Sequence, residues 1–193
     1  MRFFLLQLII PITMSVGYGQ TLSKADSLQL LAREISVHDT VLEYKILFFE
    51  TFPNSFTELK EFYDNKGKLS KYAYEHQQIF LEVIKDTNIV SICDGIKKIS
   101  LIITGFEPSV DNLGQFYQVV GSYCSGTMTI SDLLICTSKI ERDSLISFLG
   151  QSQYPPGVKL LEDFLADSRL KEHHSLIKSC LKKLENQRNP SNN

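Results

Sequence analysis

Apolar residues recur along this chain at three- and four-residue spacings, in short blocks separated by residues that start or stop helices. The clearest block is Ile89, Ile92, Cys93, Ile96, Ile99 and Ile103. That spacing puts all six on one face of a helix with 3.6 residues per turn. Its many β-branched residues also suit a strand, so this block alone leaves both forms open. Leu113, Phe116, Tyr117, Val120 and Cys124 repeat the pattern, and so do Val158, Leu161, Phe164 and Leu165, then Ile177, Leu181 and Leu184. Strand-like alternation hardly occurs. The expected fold is therefore all-α: a single-domain irregular bundle or short stack of about eight antiparallel helices joined by short turns.

The punctuation supports this reading. Val41 to Phe52 is apolar on most sides, which predicts a central helix. Pro53 biases Phe52 away from helical geometry and should end it. Ser55-Phe56-Thr57-Glu58 has the form of a capping box that restarts the chain, and Ser138-Lys139-Ile140-Glu141 is a second one. Asp86-Thr87-Asn88 should cap the Ile89–Ile103 helix. Gly121 to Thr129 reads as irregular apart from its apolar stripe, and Gly150 to Gly157, with Pro155-Pro156, reads as a loop.

The first residues form a distinct segment. Arg2 is the only charge before Lys24, Phe3 to Met14 is almost continuously apolar, and Ser15 to Gln20 is small and turn-prone. This order matches a secretory signal peptide, and the run is shorter than the roughly 20 residues a spanning helix needs. Cleavage is expected after Gly19. The expected organisation is a signal peptide over 1–19, one helical domain over 20–186 and a disordered polar tail over 187–193. The product would be periplasmic or secreted, with no membrane span after cleavage.

A formal charge of −2, evenly mixed, does not supply the basic stripe that nucleic-acid or anionic-membrane partners require. The four cysteines of an exported chain allow three connectivities. Cys124 and Cys136 flank one short connection and are the expected disulfide.

No motif carries recognisable catalytic or cofactor chemistry, and neither a metal nor a cofactor is expected. His173 and His174 point about 100° apart on a helix and lack the spacing of a metal pair. The expected arrangement is one helix-face histidine and one solvated neighbour. His76 lies on an apolar face and should be a hydrogen-bonded core histidine. Gly121 to Thr127 lacks the lysine of a phosphate loop. Cys124 has no adjacent base. Acidic pairs such as Glu141 with Asp143 read as solvated helix faces. What remains is a crowd of aromatics between Phe48 and Tyr74. Helical spacing assigns most of them to the core, leaving Phe56, Tyr63, Tyr72 and Tyr74 as the candidate contact surface.

The segment FFETFPNSFTELKEFYD (Phe48–Asp64), a long helix ending in Phe-Pro and restarted by Ser-Phe-x-x-Leu, resembles uncharacterised exported helical proteins of Gram-negative bacteria. Ser147-Phe148-Leu149-Gly150 through Pro155-Pro156 is similar to a second segment of that group, without its tryptophans. The resemblance implies one all-helical domain and brings no catalytic residues.

The favoured function is an exported protein-interaction module without catalysis, of the immunity or inhibitor type, with a protein partner in the cell envelope or outside the cell. The alternatives are a carrier of a small or apolar ligand held between helices, and an enzyme whose site is assembled from distant residues.

Overall fold

Ser23 starts the first described helix by accepting, through its hydroxyl, the backbone N–H of Asp26. The computed structural model describes residues 22–64, 66–105, 114–151 and 154–188. Among these residues there are ten α-helices and no strand, so the fold is all-α, with ten helices where about eight are expected. The expected signal peptide lies outside the described residues.

Helix α1 (Lys24–Val37) turns Ala25, Leu28, Ala32 and Ile35 inward and packs on α2 (Leu42–Thr51). Helix α2 is not the central helix its composition predicts. Phe48 is its one fully buried residue, while Leu42, Ile46 and Leu47 are 47%, 36% and 43% exposed. It is only ten residues long. Its principal neighbours are α1 and α4 (Ala73–Lys85), and they cover one side.

Pro53 acts as predicted. Phe52 leaves the helix with an extended ψ of 145°, and its ring is fully buried. Ser55 then caps α3 (Phe56–Tyr63) by accepting from Glu58 N–H. The return half of the box is displaced by one residue: Glu58 Oε2 accepts from Asn54 N–H at 2.8 Å. Helix α3 swings away from α2 and packs on α5 (Ile92–Ile103). A 3-10 turn over Ser70–Tyr72 leads into α4.

The Ile89–Ile103 block resolves as helix. Its first two residues, Ile89 and Val90, belong to a turn held by Asp86, and Ser91 is the cap of α5. Gly105, at φ +82°, follows the helix end in the left-handed conformation that suits glycine there.

Helix α6 (Gly114–Gly126) runs through most of the stretch that the sequence suggests is irregular. Helix α7 (Ile130–Cys136) follows after a 109° bend, started by a full capping box of Thr129 and Asp132. The box predicted at Ser138 and Glu141 opens α8 (Lys139–Leu149). Pro155 and Pro156 are not loop residues but the first turn of α9 (Pro155–Ala166). There the missing N–H costs nothing and the fixed φ is already helical. A 3-10 turn over Ser168–His173 enters α10 (His174–Arg188). Gln187 and Arg188 are thus helical and not tail; residues 189–193 lie outside the described residues.

The bundle is irregular because chain neighbours are often not packing neighbours. Helix α6 packs on α4 and α9, α10 on α9 and α8, and α5 on α7 and α8. A run of rings crosses the core from the Phe-Pro corner to α8. Phe52 stacks on Phe80 at 4.1 Å, Phe80 meets Phe116, and Phe116 meets Phe148 edge-on at 6.2 Å.

The disulfide joins Cys93 of α5 to Cys136 of α7, and not Cys124 to Cys136. Cys124 is turned into the core beside Tyr123, whereas Cys136 faces α5. The chemistry of an even cysteine count holds; the pairing depends on which helices touch.

Candidate functional site

Three polar clusters and one exposed surface gather the local chemistry of the bundle. The first joins α8 to the turn before α10. His173 is buried, and its Nδ1 lies 2.7 Å from Asp143 Oδ1. Its Nε2 accepts from Arg142 Nε at 3.2 Å. Arg142 also donates to the Thr137 carbonyl, and Glu172 bridges toward both Arg142 and Lys139. Glu172 Oε1 also lies 3.3 Å from Nε2, so the ring sits between two carboxylates and a guanidinium. Asp143 is therefore not the freely solvated acid suggested by its position in the chain. His174, the expected solvated neighbour, is half-buried with Nε2 3.2 Å from the Asp167 carbonyl.

A shallow cavity of about 320 Å³ lies beside this cluster, lined by Ile103, Ile140, Asp143, Ser144, Ser147 and Gln151. Asp143 shares this cavity with Ser144 and Ser147 and contacts His173 on its other side, which invites comparison with a hydrolase. In that chemistry the histidine nitrogen opposite the aspartate must take the serine proton. Here that nitrogen is occupied by a guanidinium donor. The arrangement ties α8 to the turn before α10.

The second cluster surrounds His76 on α4. The Tyr63 hydroxyl lies 3.0 Å from Nδ1. Phe48 and Tyr63 meet the imidazole edge-on and Tyr72 stacks on it. Burial lowers His76 from 6.5 to about 4 and raises Tyr63, so both are neutral near pH 7. His76 is the core histidine its apolar face predicts.

The third cluster is the Phe-Pro corner itself. Lys98 of α5 is buried, lies over the Phe49 ring, and donates to the Asn54 side chain and to the Glu50 carbonyl. Burial lowers its ammonium to about 8, with Lys24 adding to the effect. From the other side Lys24 of α1 donates to Glu58. Burial pushes the Glu58 carboxyl up, but the Lys24 ammonium and Asn54 N–H outweigh it and hold it below its ordinary value.

These clusters account for most of the predicted contact surface. Phe56 and Tyr63 are buried, and Tyr72 is half-buried against His76. Only Tyr74 is open, at 59%. The aromatic region is filled by its own side chains. Phe56 and Tyr63 point inward because α3 has a single apolar face, and that face also contains Leu59.

The exposed apolar surface lies instead on α2. Leu42 and Ile46 form one ridge, and Glu43, Leu47 and Glu50 form the next. Lys45 is paired with Asp39 at 2.6 Å. Glu43 and Glu50 are exposed, and among the described residues neither has a salt-bridge partner. The available signal was the pair of acids seven residues apart, bracketing Leu47 inside an otherwise apolar run.

Among the described residues no three histidine, cysteine or acidic side chains converge in a way that could hold a metal ion. No single described helix is long and apolar enough to cross a membrane. No protein-family model, curated protein or solved structure matches the chain.

Proposed function

We propose that the protein is an exported, non-catalytic interaction module that engages a protein partner through the outer face of α2. One observation carries the reading. A helix with six aromatic and aliphatic residues in its ten leaves three aliphatic side chains open to solvent. Contiguous apolar exposure of this kind is uncommon on a monomer and marks contact surfaces. The disulfide agrees with an oxidising compartment. An inhibitor- or immunity-like role is the form of the reading that suits a rigid helical domain with no catalytic set.

The test is site-specific photo-cross-linking in the cell envelope. A photoreactive residue at Leu47 is expected to give one adduct of defined mass. The same residue at Ile135, which is exposed on α7, should give none. Absence of an adduct at Leu47, or the same ladder from both positions, would overturn the proposal. N-terminal sequencing of the protein from the envelope fraction checks export independently, with Gln20 as the expected first residue.

A further inference from the structure

The charges on α2 specify what kind of partner it fits. Leu42 and Ile46, at i and i+4, make an apolar ridge continued by the half-buried Phe49. On the adjoining ridge Glu43, Leu47 and Glu50 fall at i, i+4 and i+7. Seven residues at 1.5 Å each separate the two carboxylates by about 10 Å along the axis, with Leu47 between them. The one cation of the helix, Lys45, is already neutralised by Asp39. The surface is therefore an aliphatic strip bordered by two carboxylates that have no salt-bridge partner among the described residues, Glu50 lying within electrostatic reach of Lys98.

Resting on the interaction reading above, we infer that the occupant of this face is a cationic amphipathic helix of another protein, with lysine or arginine residues about seven apart flanking an apolar one. Its cations would meet Glu43 and Glu50 while its apolar ridge covers Ile46 and Leu47. The same two carboxylates disfavour the other occupants. A second copy would bring like charges together, and an anionic bilayer would be repelled.

The experiment uses the purified protein and a labelled synthetic peptide of roughly 14 residues, about four helical turns. Leucines line one face of the peptide and lysines flank it seven apart. A matched peptide carries glutamate in place of lysine. Fluorescence anisotropy is expected to show micromolar binding of the lysine peptide alone. Binding should fall at least about tenfold in Glu43→Lys/Glu50→Lys and in Ile46→Asp. It should hold in Glu162→Lys/Glu185→Lys, which changes net charge equally at exposed positions elsewhere. Circular dichroism confirms that each variant is folded.

Equal weakening by the two double variants, binding of the glutamate peptide, or binding of neither peptide overturns the inference. Dimerisation abolished by Ile46→Asp, or adsorption to phosphatidylglycerol vesicles through α2, overturns it in favour of another occupant. A discrete Leu47 adduct alongside any negative peptide result retains the interaction reading and discards only the cationic helix.

Discussion

Arg142 Nε donates to His173 Nε2 across 3.2 Å, linking residues 31 positions apart. Together with the Asp143 contact on the opposite nitrogen, this leaves the imidazole no free ring nitrogen. The cluster therefore belongs to stability. Arg142→Ala is expected to cost about 2–3 kcal/mol, because His173 and the Thr137 carbonyl both lose a charged donor in a largely buried place. For a chain of this size that corresponds to a fall of roughly 4–12 °C in Tm. Thermal and urea melts check it, and a neutral result would remove the tie from the account.

The His76 box predicts an acid-labile core. The ordinary histidine value is 6.5 and the folded value is about 4. Between those values the unfolded chain binds a proton that the folded chain refuses. Stability is therefore fully present above pH 6.5 and lost as pH falls toward 4. The loss is about 3 kcal/mol at its limit. Urea melts at pH 7 and pH 4.5 should show a drop in the wild type exceeding that in His76→Gln, since carboxylate titrations are common to both. Equal drops would show that His76 does not carry the effect.

The disulfide spans a sequence separation of 43. Loop-closure entropy assigns about 4 kcal/mol to such a bond. A Cys93→Ala/Cys136→Ala variant should lose stability on that order. Native alkylation should find no reactive thiol at pH 8, since Cys124 is buried with its thiol pushed up to about 12, and Cys180 is also buried and raised. Two thiols should appear on denaturation without reductant. Peptide mapping that links Cys124 to Cys136 would contradict the structure.

Gly95 is the point where α5 meets α6. A Cβ there would come 2.5 Å from the Tyr123 hydroxyl, which donates to the Ile92 carbonyl. Alanine normally favours a helix over glycine by about 1 kcal/mol, but the clash should reverse the sign. Gly95→Ala is expected to destabilise by about 1–3 kcal/mol. Adding Tyr123→Phe removes the colliding oxygen, so the double variant should be less destabilised than the sum of the singles. Additive losses would place the strain elsewhere.

The helices were readable because their causes are local. Ser55, Ser138 with Glu141, and the Phe52-Pro53 break mark ends that the backbone obeys, and the isoleucine stripe of α5 faces the core. Pro155-Pro156 is local in the same way, since proline at the first helical positions is a start signal. Other features required tertiary information. Hydropathy made α2 look central, but whether an apolar face is covered depends on the number of neighbours. Cys93 meets Cys136, and Asp143 meets His173, only after α5, α7, α8 and the turn before α10 have assembled. No short-range rule relates residues 30 or 43 positions apart.

The Cys93–Cys136 bond also turns part of the chain into a covalent ring. Helix α6 lies on that ring, while α4 and α9, which clasp it, lie outside. Once the bond is closed, α6 can leave the core only by swinging between two tethered ends. Its excursions are bounded in length and direction, and the rings of Phe116 and Tyr123 stay close to the seats they vacate. The disulfide thus does more than strengthen the fold: it limits how far this helix can stray.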